Sequence, residues 1–357
     1  MSTDAPASPI TPAAGPPDGP AADTASTPPA AAASEPLLRV RDLRIEYPGT
    51  QAPVQALRGV DFDLAAGEFA GLVGESGSGK TQLLLALLGL NAPNARLSGS
   101  IRYRGQELVG LPARSFNAIR GRRIAMVFQD PMTALNPYMT VGRQITEVLQ
   151  LHLGLDRRAA SAHATALLDS VHLSDAAGRL KQYPHELSGG QRQRVMIAMA
   201  LAGEPDILLA DEPTTALDVT VQAQILTLLR ELRTRRNIAL IFVSHDLGVV
   251  AQIADRAGVM YAGLMVEQAP IAELFAQPRH PYTRALQRSI PPLTGPVPAR
   301  LPTIGGQPPN PAELPPGCAF APRCSYRMPV CTTTIPELTA VDAGQHCKAC
   351  HYEGPLA

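Results

Sequence analysis

Two stretches of the chain combine glycine with residue types that grip phosphate. GESGSGKT, Gly74 to Thr81, has the spacing GxxxxGK[ST]; HELSGGQRQRV, His185 to Val195, sets Gly189 and Gly190 behind Ser188 and ahead of helix-forming residues. Small residues let a phosphate approach the backbone, and free N–H groups and the dipole at a helix start favour its negative charge. The first stretch reads Gly74, Glu75, Ser76, Gly77, Ser78, Gly79, Lys80 and Thr81, with Gln82 following. Its backbone N–H groups from Gly77 to Thr81 would wrap a β-phosphate, Lys80 would bridge β- and γ-phosphates, and the Thr81 hydroxyl would ligate Mg²⁺ accompanying ATP.

Further polar residues close apolar runs. DILLADEP ends in adjacent carboxylates, Asp211 and Glu212, which cannot face the same way on a strand. Asp211 would hold Mg²⁺, usually through water, while Glu212 would polarise the attacking water, a general-base role worth about 10²–10⁴ in rate. The plainer alternative is two acids capping a strand end. Gln129 closes IAMVFQ and is a second candidate at the metal; His245 closes LIFVSH, and Asp218 follows in TTALD. A histidine after an apolar strand is more often structural than catalytic, but beside a P-loop it could reach the γ-phosphate. Tyr47, before Pro48, is either an edge-strand aromatic or a platform for adenine. The second glycine stretch has its own assignment. One P-loop surrounds a triphosphate on one side only, so a distant second grip across a helical insertion is expected to serve the nucleotide of another chain. Two chains packed head to tail would each offer Ser188, Gly189, Gly190 and Gln191 to the other's γ-phosphate.

These residues need a particular scaffold. LLRVRDLRIEYP and LRGVDFDLAAGEFAGLVG alternate like strands, the second running into the glycine loop, and TQLLLALLGL has helical length and formers. Strand, GxxxxGK[ST] and helix in that order make a P-loop credible. DILLADEP and IALIFVSHD are continuous apolar runs, the mark of parallel strands buried on both faces with chemistry at their C-terminal ends. The fold expected is α/β, with a helical insertion at 131–187.

Composition bounds the rest. The 357 residues carry 31 basic and 31 acidic side chains, which leaves no electrostatic footprint for nucleic acid. The longest apolar run, LLLALLGL, is less than half of the ~20 residues a membrane span needs. Residues 1–36, rich in Ala and Pro, are expected to be a disordered tail that does not resemble a signal peptide. Residues 291–317 look like a Pro/Gly linker. All five cysteines follow it: Cys318, Cys324 and Cys331 well separated, then Cys347 and Cys350 as a CxxC. In a reducing compartment such a group suggests metal sooner than disulfides. Zinc takes four thiolates but usually from tight pairs at both ends, and only one pair here is tight. Iron–sulfur, zinc and an empty reduced site all stay open.

GESGSGKT, VFQDPMTALNP, HELSGGQRQR, ILLADEPTTALD and VSHD, in this order, resemble the ATP-binding subunit of an ABC transporter over about residues 37–290. VFQDPMTALNPYMTVGRQI, RHPYTRAL and GCAFAPRCSYRMPVC are similar to the oligopeptide and dipeptide importer branch, which includes nickel importers. The resemblance implies a P-loop NTPase of the ABC type with an N-terminal antiparallel β subdomain, a helical insertion and a small cysteine-bearing C-terminal tail. It implies an ATPase at the cytoplasmic face of the bacterial inner membrane, docked on two permease subunits, paired with a second ATPase, itself or a paralogue, and fed by an extracytoplasmic solute-binding protein. The segment after Gln129 would take the permease's coupling helix. Tyr47, Gly74 to Thr81, Gln129, Ser188 to Gln191, Asp211, Glu212, Asp218 and His245 fall on family motif positions. Nickel or another small solute is the alternative cargo, and a soluble non-transport ABC ATPase the alternative class. The family's tail also places a [4Fe–4S] cluster first among the cysteine readings, with Cys318, Cys324, Cys331 and Cys350 as ligands and Cys347 spare, because its fourth cysteine is commonly followed by an aromatic or histidine, as in ACHY.

Overall fold

A glycine loop can cradle phosphate only if a buried strand delivers it to the edge of a sheet, and that strand is Phe69–Val73, buried at every position. In the computed structural model, residues 1–2, 35–49, 52–215, 217–291, 302–341 and 345–356 are described. Most of the expected N-terminal tail and residues 292–301 of the expected linker lie outside them.

In chain order the strands are β1 (Leu38–Tyr47), β2 (Val54–Leu64), β3 (Phe69–Val73), β4 (Arg96–Tyr103), β5 (Gln106–Glu107), β6 (Ile124–Val127), β7 (Ile207–Asp211), β8 (Ala239–Ser244), β9 (Arg256–Tyr261), β10 (Leu264–Pro270), β11 (Thr339–Ala340) and β12 (Cys347–Lys348). The helices are α1 (Lys80–Leu87), α2 (Ala113–Phe116), α3 (Pro131–Ala134), α4 (Val141–Leu153), α5 (Arg157–Ser170), α6 (Ala176–Arg179), α7 (Gly189–Leu201), α8 (Val219–Arg236), α9 (Leu247–Ala251), α10 (Ile271–Ala276) and α11 (Pro281–Arg288).

Among the described residues the strands form two sheets. The antiparallel sheet has the order β2-β1-β4-β5. The larger sheet has the order β11-β12-β10-β9-β3-β8-β7-β6, with β6, β7, β8, β3 and β9 parallel and β10 and β12 antiparallel additions at the far side. β7 and β8, like β3, are buried throughout, as strands covered on both faces must be. One apolar core lies between the larger sheet and α4, α5, α7 and α8; the other lies between the two sheets around α1.

The helical insertion expected at 131–187 comprises α3 to α6 and a 3-10 turn at Pro184–Glu186, and α4 is amphipathic, capped by Thr140 and ended by Gly154 in the left-handed region. The cysteine-bearing tail does not hang free. β12 pairs with β10, and the buried carboxylate of Glu267 on β10 accepts from the Arg279 and His280 amides and lies 2.7 Å from His346 Nε2. Glu267 is fully buried, so this set secures the tail through charge-assisted bonds that water cannot replace.

Glu267→Ala strands two amides and a histidine, at a cost of about 2–4 kcal/mol. The melting temperature followed by circular dichroism is expected to fall by about 5 °C or more.

Candidate active site

The parallel strands all point their C-terminal ends at one edge, and the polar residues singled out from the sequence gather there. β3 runs into the glycine loop, β6 into Gln129, β7 ends at Asp211, and β8 is followed by His245. A cavity of about 730 Å³ opens on this edge, lined by Glu75 to Gln82, Gln129, Glu212, His245, Tyr261 and Ala262.

The loop needs glycine for its shape. Gly77 and Gly79 have φ of 78° and 104°, in the left-handed region that side chains disfavour. A Cβ on Gly79, the N-cap of α1, would come within 2.7 Å of Leu57 Cδ2 and 2.8 Å of the Ala56 carbonyl. Lys80 is turned inward, its Nζ donating to the carbonyls of Gly74 (2.7 Å) and Glu75 (3.0 Å) and to Ser78 Oγ (3.3 Å). Burial lowers its pKa, while Glu212, Asp211 and Glu75 pull in the other direction. The loop's own carbonyls thus hold a cation that a phosphate could take over.

The two carboxylates of β7 have different surroundings. Asp211 is 4% exposed and hydrogen-bonded to Thr81; burial raises its pKa and the Thr81 bond opposes the rise. It sits behind Thr81, not in the cavity wall. Glu212 follows with φ 46°, a strained conformation for a residue with a Cβ that costs about 1–3 kcal/mol and turns its side chain toward the cavity. Its Oε2 accepts from Gln129 Nε2 (3.3 Å) and Thr215 Oγ1 (3.0 Å) and lies 3.2 Å from His245 Nδ1. One carboxylate oxygen therefore organises three side chains from three segments.

Tyr47 does not line the cavity; its hydroxyl donates to Gln82 Oε1 at 2.5 Å. Ser188, Gly189, Gly190, Gln191 and Asp218 also stand away from it. Ser188 and Asp218 are the N-caps of α7 and α8, accepting from the Gln191 and Val221 amides, and Gln191 completes a capping box with Ser188. Gly190 lies so close to α8 that a Cβ would meet Val221 Cγ1 at 2.7 Å.

Four of the five cysteines, Cys318, Cys324, Cys331 and Cys350, line one narrow cavity with His280 and Phe320; Cys347 is not among them. Burial raises the pKa of the Cys318, Cys324 and Cys350 thiols, and backbone amides aimed at their sulfurs lower it: Phe320 and Ala321 to Cys318, Tyr326 to Cys324 at 3.3 Å, Tyr352 to Cys350. Among the described residues no three His, Cys, Asp or Glu side chains form a set able to hold a metal ion. The thiols surround a space; they do not converge on a point.

Composition gave no sign of several contacts. Pro308, Pro309, Pro311 and Leu314, within the expected linker, line the nucleotide-sized cavity. The Tyr282 hydroxyl accepts from the Glu75 amide at 2.8 Å, and Arg323 pairs with the Glu75 carboxylate. A proline tract signals an absence of regular structure, not the surface it rests on.

A glycine loop between buried strand and helix, with acids at the end of the neighbouring strand and a capped LSGGQ helix set apart, defines an ATP-binding cassette ATPase. A family profile described as ABC transporter matches residues 57–215, and one described as the oligopeptide/dipeptide transporter C-terminal region matches residues 266–331. The oligopeptide transport ATP-binding protein OppD of Salmonella typhimurium is 50% identical over 88% of this chain and 93% of its own. A putative peptide import ATP-binding protein of Brucella abortus is 53% identical over 84% of this chain and 91% of its own. Among solved structures, a dimer of the cassette MJ0796 bound to ADP and Pi has a TM-score of 0.59 at 28% identity, covering 66% of this chain and 98% of that one. The chain belongs to the ATP-binding subunits of ABC transporters, in the family of the oligopeptide import ATP-binding proteins.

Gly79→Ala forces a clash with backbone and a left-handed φ at the phosphate loop, so ATP affinity measured by isothermal titration is expected to fall at least about tenfold, a loss of about 1.4 kcal/mol.

Proposed function

We propose that the chain is the ATPase subunit of an importer of oligopeptides or dipeptides. In this reading it sits peripherally at the cytoplasmic face of a bacterial inner membrane, against two permease subunits and beside a second ATPase that is a copy or a paralogue, while an extracytoplasmic binding protein supplies cargo. The observation that carries the reading is the presence in one chain of the complete phosphate edge and the C-terminal region matched to oligopeptide and dipeptide transporters.

In the proposed chemistry the loop amides and Lys80 bind the β- and γ-phosphates, with Lys80 exchanging the carbonyls of Gly74 and Glu75 for phosphate oxygens. Thr81, Asp211 and Gln129 would hold Mg²⁺, which would supply positive charge to the phosphate oxygens, and Gln129 would also reach the attacking water. Glu212 takes the water's proton as the water attacks the γ-phosphorus and the bond to the β–γ bridging oxygen breaks. His245, half-turned to solvent beside Glu212, contacts the γ-phosphate. Tyr47 stacks on adenine after releasing Gln82. Ser188 to Gln191 and Asp218 complete the site of a neighbouring ATPase; the exposure of Ser188, Gly189 and Asp218, and the fact that none of the five lines this chain's own cavity, support that division. The segment following Gln129 receives the coupling helix of a permease.

Cys318, Cys324, Cys331 and Cys350 are proposed as ligands of a [4Fe–4S] cluster, with Cys347 spare. What supports this ligand set is that the four thiols line one cavity and that backbone amides are directed at three of the sulfurs. Such a cluster would cross-link a segment with little apolar core of its own.

Glu212→Gln keeps shape and loses the base. Its ATPase rate is expected to fall by about 10²-fold or more while ATP binding persists and a Mg·ATP-dependent dimer accumulates on size exclusion, with the cognate second subunit added if the pair is mixed. In a strain lacking the gene, wild type is expected to restore uptake of labelled oligopeptide and this variant to fail; retained turnover would remove the assignment of Glu212. For the tail, anaerobic purification with iron, sulfide and zinc analysis is expected to give iron and sulfide that survive Cys347→Ser and are lost with Cys350→Ser; stoichiometric zinc, or loss on Cys347→Ser alone, would overturn the ligand set.

A further inference from the structure

Glu75 is the second residue of the phosphate loop and lines the same cavity as Ser76 to Thr81. A carboxylate there is a liability, because ATP brings several negative charges to the neighbouring amides and like charges repel across a partly desolvated pocket. The chain answers from far along its sequence. Arg323, in the cysteine-bearing tail, forms a two-pronged pair with Glu75, Nη1 to Oε2 at 2.6 Å and Nη2 to Oε1 at 2.9 Å.

We propose that Arg323 is a positioning residue for nucleotide binding, its positive charge neutralising Glu75 on the phosphate loop. This role rests on the reading that ATP occupies that cavity.

The guanidinium has little freedom to do anything else. Its side chain is 4% exposed, and its charge lies 5.9 Å from the centroids of both the Tyr261 and Phe320 rings. The remaining donors are also engaged: Nη1 with the Tyr261 hydroxyl (3.1 Å), Nε with the Gly305 carbonyl (2.8 Å) and Nη2 with the Ile304 carbonyl (3.3 Å). That is five bonds for the five N–H groups a guanidinium carries. A point-charge ammonium could neutralise Glu75 but could not hold all of these acceptors in one plane.

Three structures meet at this one side chain. Glu75 belongs to the phosphate loop, and its amide is further fixed by the Tyr282 hydroxyl. Tyr261 ends β9 beside the loop. The carbonyls of Ile304 and Gly305 lead directly into Pro308, Pro309 and Pro311, which line the cavity. Arg323 itself precedes Cys324, whose thiol lines the cysteine cavity. Nucleotide affinity is thereby tied to the order of the tail.

The test is equilibrium ATP binding by the full-length protein, purified anaerobically, for wild type, R323A, R323K and R323A/E75Q. R323A leaves an unpaired carboxylate at the phosphate site, and its Kd is expected to rise about tenfold; R323K, which retains the charge, should stay within about threefold of wild type. Adding Glu75→Gln to R323A removes the stranded charge and should restore most of the affinity, a recovery that a purely structural role for Arg323 would not produce. The proposal is overturned if R323A binds ATP as wild type does, or if R323A/E75Q binds no better than R323A. Should R323A not accumulate as folded protein, R323K decides: a Kd near wild type supports the proposal, and a tenfold loss overturns it. A wild-type protein that binds no ATP would take down the reading of the cavity first, and the inference with it.

Discussion

The site is governed by charge: a polyanion must be held where three carboxylates, Glu75, Asp211 and Glu212, already stand. Each is managed by a different device. Asp211 is withdrawn behind Thr81, where burial raises its pKa and a hydroxyl holds it in place. Glu212 stays at the cavity, its oxygen surrounded by Gln129, Thr215 and His245. Glu75 is covered by an arginine from the tail. Lys80, the cation meant for phosphate, is meanwhile parked on carbonyl oxygens and not on any of the acids. Pairing it with a carboxylate would have made the cation harder to exchange, since an ion pair adds the attraction of a full opposite charge to the hydrogen bond.

Ser188 and Asp218 carry a second lesson about economy. Both are read from motifs as nucleotide contacts, and both are N-caps in the single chain, satisfying amides at the starts of α7 and α8. The same helix start that needs a cap is an electropositive end suited to phosphate. Structural and binding uses therefore draw on one property of the backbone.

Much of this was legible in the sequence where local chemistry is self-sufficient. The buried runs of β7 and β8, the strand before the glycine loop and the helix start after Ser188 follow from residue order alone, because burial on both faces and helix-forming composition are local demands. The separation of Cys347 from the other four thiols was reached by resemblance; nothing in a CxxC says which sulfur turns inward. The bond between the Tyr47 hydroxyl and Gln82 is likewise one that motif position does not signal. The contacts of Arg323 and the prolines at 308–311 were illegible for a different reason. Glu75 and Arg323 stand 248 positions apart in the chain, and no periodicity encodes such a meeting.

The place of β12 in the larger sheet has a consequence for how the protein is made. β12 extends through β10 and β9 the sheet that carries the phosphate loop, and residues 308–314 complete the wall of the cavity. A ribosome releases the glycine loop early and these segments late. Each nascent chain thus passes through a long interval in which its phosphate loop exists without this part of its wall and without the arginine that faces Glu75.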